Sequence, residues 1–270
     1  MENEAAARQF AALGHPGRLS VVRLLLRHAP RGVRPTEIAA TLGMKSNTLS
    51  HHLAELEVAG LIGSAREGRS LFYSVRLPDL AALIAYLGRD CGRGRPDLMP
   101  SVPREIDMDR PFNVLFICSG NSARSIFAEA ILRSLGGTRF RAFSAGTRPN
   151  SVLNPFALEV LERNGLDTSG LRSKRVAEFE GPDAPRMDFV FTVCDQAASD
   201  ECAPWPGQPL TAHWGMPDPA KAEGTDAEKG LAFVKAFGEL HRRISAFVEL
   251  PFDQLERLAL QQHLDRLGEA

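Results

Sequence analysis

The chain has 270 residues, 44% of them hydrophobic, and a formal net charge of −1. This length suggests two domains, and no run of about eighteen apolar residues is present, which excludes an obvious membrane-spanning helix. The charge is unevenly shared: residues 1–104 carry a net +5 and residues 105–270 a net −6, so only the first part is expected to meet nucleic acid. The start, Met1-Glu2-Asn3-Glu4, is acidic and lacks the basic-then-apolar pattern of a signal peptide, so a cytoplasmic location is expected. In that setting the four cysteines point to reactive or metalloid-binding thiols rather than structural disulfides.

Helical spacing runs from Glu4 to Leu13 and stops at Gly14-His15-Pro16. A second amphipathic helix follows over Arg18–Leu26. Thr36 is placed to cap a helix over Glu37–Leu42, Gly43-Met44-Lys45 makes a tight turn, and Ser46 is placed to cap a helix over Asn47–Ala59. Two short helices joined through a glycine make a helix-turn-helix. The second puts Leu49, Leu53 and Leu56 on one face and shows Lys45, Ser46, Asn47, Thr48, Ser50 and His51 around its N-terminal end, side chains suited to base edges and phosphates. Two strand-like runs then flank Arg66-Glu67-Gly68-Arg69, a basic hairpin that reads as a wing, with Arg66 and Arg69 on phosphate. His51 and His52 are adjacent on a helix and point about 100° apart, which argues against a shared metal. His51 is assigned to DNA and His52 to packing.

Ala12-Leu13-Gly14-His15-Pro16-Gly17-Arg18, Ser50-His51-His52-Leu53 and Gly60-Leu61-Ile62 resemble the arsenical-repressor (ArsR-type) winged-helix family over about residues 5–95. The resemblance implies a homodimer on a palindromic operator, with helices around Ala5–Leu13 and Pro78–Leu87 at the two-fold. Members of that family sense arsenite through two or three cysteines. This region has one, Cys91, which stands either as part of an arsenite contact or as a surface thiol. Residues 92–110, with Gly92-Arg93-Gly94-Arg95-Pro96 and several further prolines, lack periodicity and read as a linker between domains at 1–91 and 111–270.

Val114-Leu115-Phe116-Ile117 reads as a buried strand, and Cys118-Ser119-Gly120-Asn121-Ser122-Ala123-Arg124-Ser125 as a small polar loop before a helix beginning near Ile126. Such a loop aims backbone N–H groups and a helix N-terminus at one spot, where a tetrahedral oxyanion would sit. Ser119 to Ser125 are the expected cradle, Arg124 can grip two oxygens with its planar fork, and the same field is expected to lower the pKa of Cys118. Phe140–Ser144 is a second strand, Asn154-Pro155 opens the next helix, and Asp188–Cys194 is a third strand ending at a thiol. Alternating strands and helices imply a parallel sheet with its site at the strands' C-terminal ends, so Cys118 and Cys194 are candidate neighbours. Residues between Cys194 and Cys202 read as a polar loop, and the remaining helices are placed at Asp226–Val248 and Asp253–Leu267.

The Cys118-to-Ser125 stretch resembles the low-molecular-weight tyrosine phosphatase loop, and its Gly120-Asn121-Ser122 resembles the related thiol-dependent arsenate reductases, from about residue 112 to the C-terminus. The resemblance implies a thiol relay: Cys118 attacks arsenate, Cys194 attacks Cys118 and releases arsenite, and Cys202 attacks Cys194. Asp218, in His213-Trp214-Gly215-Met216-Pro217-Asp218-Pro219-Ala220, matches the family's acid loop and would protonate the leaving oxygen. No bound cofactor or metal is expected, only an external thiol reductant, thioredoxin or a glutathione-glutaredoxin system.

The expected architecture is α/β overall: an N-terminal winged helix-turn-helix of α+β type, then a phosphatase-like α/β domain with a parallel sheet. The leading functional reading is an arsenic-responsive repressor fused to an arsenate reductase. Two others stand beside it: a transcription factor whose C-terminal domain only senses arsenite or an oxyanion, and a tyrosine phosphatase, for which Cys118, Arg124 and Asp218 suffice.

Overall fold

The computed structural model describes residues 1–93, 110–181, 183–200, 205 and 207–269. The chain divides into two compact units, Met1–Val102 and Pro103–Ala270. No helix of the described residues is long and apolar enough to cross a membrane.

In the first unit, α1 (Asn3–Leu13) leads through His15 into α2 (Pro16–His28). The His15 Nδ1 accepts the Gly17 N–H at 3.1 Å and Pro16 occupies the first turn, so α2 starts two residues earlier than its apolar spacing suggests. α3 (Pro35–Leu42) and α4 (Ser46–Val58) meet through Gly43, which takes a left-handed φ of 61° that a residue with a Cβ rarely adopts. Two capping expectations are corrected. Pro35, not Glu37, opens α3, because proline fits a first turn where its missing N–H is not needed, and the Glu37 carboxylate accepts the Arg34 N–H at 3.1 Å. Ser46 is the first residue of α4 rather than its cap, and Lys45 precedes it without a side-chain cap.

Leu49, Leu53 and Leu56 point into a core with Val21, Leu24, Leu25, Ile38 and Leu61. Each such side chain removed from water contributes roughly 1.5–3 kcal/mol. The hairpin pairs β1 (Ile62–Glu67) with β2 (Ser70–Val75), in the register Ile62 with Val75 and Arg66 with Leu71. α5 (Leu77–Ala85) and a wider turn (Tyr86–Cys91) close the unit against α1, where the Tyr86 hydroxyl meets Asn3 Oδ1 at 3.1 Å.

The second unit is built on a four-stranded parallel sheet of β3 (Phe112–Cys118), β4 (Phe140–Gly146), β5 (Phe189–Thr192) and β6 (Leu210–His213), in the order β4-β3-β5-β6. Every residue of β3 is buried, as an inner parallel strand requires. α6 (Arg124–Leu135) makes the crossover from β3 to β4. α7 (Pro155–Arg163) is capped by Asn154, whose Oδ1 accepts the Phe156 N–H at 3.0 Å.

α9 (Asp226–Val248) starts at a Thr225/Glu228 capping box. It packs Phe247 edge-on against Phe191, which in turn stacks on Trp214 with centroids 4.1 Å apart. The last helix, α10 (Arg257–Glu269), begins four residues later than its spacing suggests, and its Leu264 carbonyl accepts the Trp214 indole N–H at 3.0 Å.

Two elements differ from the sequence reading. The segment after Cys194 is not simply a loop: Asp195–Ser199 forms the short helix α8, with the Cys194 sulfur accepting the Ala197 N–H at 3.4 Å. Leu210–His213 is a strand, too short for alternation to reveal it beside the acid loop it feeds.

Candidate functional site

β3 delivers Cys118 to the C-terminal edge of the sheet, and the chain curls through Ser119–Ala123 before α6 begins at Arg124. The curl is held from outside. The carbonyls of Cys118, Ser119, Gly120 and Ser122 accept the N–H groups of Thr147, Arg148, Asn150 and Asn154 at 3.1, 2.9, 2.8 and 2.9 Å. In a trans peptide the N–H points opposite to the carbonyl, so the N–H groups of Ser119, Gly120, Asn121 and Ala123 turn inward. The Asn121 N–H reaches the Cys118 sulfur at 3.2 Å. Gly120 lies against Asn150, where a Cβ would come 2.9 Å from the amide nitrogen. The Ser122 hydroxyl accepts from the same amide at 3.0 Å. Ala123 is the N-cap position of α6 and is buried.

Asn121 itself takes a φ of 43°, a left-handed conformation that asparagine tolerates better than most residues. Its side chain is fully buried beneath the loop rather than facing an oxyanion. The amide nitrogen donates to the Ser125 hydroxyl at 2.9 Å and to the Ser144 hydroxyl at 2.8 Å, and the amide oxygen accepts the Lys174 N–H at 2.7 Å. With their lone pairs engaged, the Ser125 hydroxyl faces the Cys118 sulfur at 2.9 Å and the Ser144 hydroxyl donates to Glu129 at 2.5 Å. Glu129 is closed by the Lys174 ammonium at 2.8 Å. Asn121, Ser125, Ser144, Glu129 and Lys174 thus form one buried polar network under the thiol. Sequence reasoning missed Glu129, Ser144 and Lys174. The available signal was two ionisable residues at positions that the folding pattern buries, Glu129 within an apolar helix and Lys174 next to a strand end.

The expectation of a lowered Cys118 pKa is corrected. The thiol is 2% exposed. Burial pushes its pKa up and the neighbouring Cys194 adds to this, while the Ser125 hydrogen bonds and the Arg124 guanidinium pull the other way without prevailing. Arg124 shares its charge: one nitrogen pairs with Asp218 at 2.7 Å, and the other donates to the Met216 carbonyl at 3.2 Å. Asp218 is fixed in turn by accepting the Ala220 N–H at 3.1 Å. Arginine and carboxylate therefore stand together at the mouth of the loop.

Cys194 is buried one strand over, at the end of β5. The Val193 N–H donates to Ile117 at 2.8 Å and sets this register, and the Cys194 sulfur lies 3.4 Å from the Ser119 hydroxyl. Cys118 and Cys194 are free thiols. Cys202 lies outside the described residues. Beyond Cys194, Asp200 accepts from Arg148 at 2.9 Å and from Gln196 at 3.0 Å.

In the first unit Lys45, Ser46, Asn47, Thr48, Ser50 and His51 are all exposed at the N-terminal end of α4. The Ser50 hydroxyl is turned back to the Ser46 carbonyl at 2.9 Å. Arg66 is exposed in β1 and Arg69 in the hairpin turn. His52 is buried against His15, with ring centroids 4.6 Å apart, and burial together with the charges of His15, Arg18 and His51 lowers its pKa. Cys91 is an exposed free thiol.

Residues 113–259 match the family described as low molecular weight phosphotyrosine protein phosphatase, and residues 13–63 match a helix-turn-helix domain. An arsenate reductase of Halalkalibacterium halodurans is 37% identical over 136 residues, which are 50% of this chain and 94% of the relative. An arsenate reductase of Bacillus subtilis strain 168 is 34% identical over 136 residues, again 50% and 94%. Among solved structures, an arsenate reductase from Archaeoglobus fulgidus is 25% identical, with 51% of this chain and 99% of that chain covered and a TM-score of 0.41. The chain belongs to the low molecular weight phosphotyrosine protein phosphatase family, has arsenate reductases among its relatives, and carries a helix-turn-helix domain ahead of that family's domain.

Proposed function

We propose that this chain is an arsenic-responsive transcriptional repressor fused to an arsenate reductase. The observation that carries the enzymatic half is the second thiol. A phosphatase needs only Cys118, Arg124 and Asp218, whereas here Cys194 is buried beside the loop, 3.4 Å from the Ser119 hydroxyl.

In the reaction proposed, arsenate enters the cradle of inward N–H groups and its oxygens engage Arg124. The Cys118 thiolate bonds to arsenic, and one oxygen leaves as water with a proton from Asp218. The Cys194 thiolate then attacks the Cys118 sulfur. The sulfur–arsenic bond breaks, its electron pair stays on arsenic, and As(V) becomes As(III), leaving as arsenite. The two thiols are oxidised to a disulfide. Cys202 attacks Cys194, frees Cys118 and leaves a Cys194–Cys202 disulfide. An external dithiol, from thioredoxin or a glutaredoxin system, reduces it. α8 is consistent with this reading: it is a single short turn directly after Cys194, which can open at small cost.

In the repressor half, α4 enters the major groove with Asn47, Thr48 and His51 at the base edges, and Lys45, Arg66 and Arg69 hold phosphates. The exposed Leu77, Ile84 and Leu87 on and after α5, next to α1, support the two-fold interface of a dimer on a palindromic operator. Cys91, exposed just beyond that helix, is a single thiol, so arsenite sensing draws on further thiols.

Trapping tests the relay. A Cys202→Ser chain treated with one equivalent of arsenate should stop as a Cys118–Cys194 disulfide, seen by peptide mass mapping, with one equivalent of arsenite released. Arsenite absent and both thiols still alkylatable would reject the relay.

A further inference from the structure

The end of the sheet opposite Cys118 holds a cavity that the proposed reaction does not use. Asn113 lies five residues before Cys118 on β3, about 17 Å along the strand. Beside it a cavity of about 470 Å³ is lined by Arg110, Arg141, Arg186 and Arg257, with Asp188 the one carboxylate in its wall among the described residues. Arg110 grips Asp188 with two hydrogen bonds, at 2.8 and 2.7 Å. Arg186 and Arg257 reach backbone carbonyls, those of Gly207 and Gln208. Among the described residues, no carboxylate stands at ion-pair distance from Arg141, Arg186 or Arg257. Burial and then the Arg186 charge pull the Arg257 pKa down, while the Asp188 carboxylate opposes them. Guanidinium groups stay protonated regardless. Among the described residues the concave wall thus carries four guanidinium groups and one carboxylate, a balance that favours anions.

Asn113 fixes the backbone of Arg186 in this wall. It is 8% exposed, and its amide nitrogen donates to the Arg186 carbonyl at 2.8 Å. Its Oδ1 is buried with no hydrogen-bond partner among the described residues.

We propose that this cavity is a second anion site, for a phosphate ester of nucleotide size whose phosphates lie on Arg141, Arg186 and Arg257. The volume falls in the range of small-molecule pockets, about 300–1,000 Å³, and far exceeds one tetrahedral ion. The concave wall favours a small molecule over the convex backbone of duplex DNA.

The test uses the full chain carrying Cys118→Ser and Arg124→Met, so that the upper loop cannot hold phosphate. ATP and pyrophosphate are titrated calorimetrically. One ATP per chain is expected, bound more tightly than pyrophosphate and weakened at least tenfold by Arg141→Gln with Arg186→Gln, both exposed positions. Arg141→Gln alone, expected to weaken ATP several-fold, carries the test if the double variant fails to fold. Absence of saturable ATP binding at millimolar concentration, or binding indifferent to these arginines, would overturn the proposal. So would displacement of ATP by a duplex of arbitrary sequence that depends on the same two arginines, which would assign them to nucleic acid.

Discussion

The Ser125 hydroxyl lies 2.9 Å from the Cys118 sulfur and is itself fed by the Asn121 amide at 2.9 Å. The pair joins the last residue of β3 to the first turn of α6. A hydroxyl so placed donates to the thiolate better than to the thiol, and it opposes the burial that raises the Cys118 pKa. Removing it with Ser125→Ala should slow arsenate turnover and Cys118 alkylation at neutral pH roughly tenfold, about 1.5 kcal/mol. A variant as fast as the parent at every pH would show that Ser125 only packs.

The direction of the Cys118 shift sets a pH profile. Below a thiol's pKa the thiolate fraction rises about tenfold per pH unit, and here burial moves that rise to higher pH. Iodoacetamide capture of Cys118 in ligand-free protein should keep increasing beyond the pH at which a small free thiol such as N-acetylcysteine levels off. Cys194→Ala removes the second cause of the upward shift and should move the Cys118 profile to lower pH. A profile that levels off below that of the small free thiol would mean the cradle's dipoles outweigh burial.

Lys174 and Glu129 make a buried ion pair, with side chains 8% and 1% exposed. Glu129 keeps Arg133 on its other oxygen, so Lys174→Met should cost about 1–3 kcal/mol rather than the full cost of a stranded charge, whereas Lys174→Met with Glu129→Gln should recover part of that. The chain's two tryptophans, Trp205 and Trp214, both lie in the second unit, so their fluorescence during urea unfolding reports that unit alone. Equal destabilisation by the single and double variants would show that the pair contributes no mutual compensation.

On the DNA side, Arg69→Gln should weaken binding to every sequence and reduce the salt slope by about 0.9, as expected for one lost phosphate contact. Asn47→Ala should weaken the operator more than random DNA. The measurement is fluorescence anisotropy across a salt series. Equal losses on operator and random DNA for Asn47→Ala would move that residue from base reading to the backbone.

Much of this was legible before the fold. A strand, a Cys-to-Arg loop and a helix define their own geometry locally, so Cys118, Arg124 and the β3–α6 switch follow from the residues. The helix-turn-helix was equally local: Gly43 breaks the helical run, and Leu49, Leu53 and Leu56 repeat on one face. What escaped depends on contacts far apart in sequence. Glu129, Ser144 and Lys174 meet only when α6, β4 and the segment before residue 176 close on one another. β6 has four residues, too few to show a period. The Cys118 pKa was misjudged because the loop's dipoles are visible in a motif, whereas burial of the sulfur is a property of the whole unit.

The most direct test of the thiol relay is arsenite formation from arsenate by the purified full chain, supplied in turn with thioredoxin and glutaredoxin systems. Turnover is expected with one of them, abolished by Cys118→Ser, Cys194→Ser or Cys202→Ser individually. Folded protein that forms no arsenite with either system, yet hydrolyses a phosphotyrosine peptide through Cys118, would contradict it.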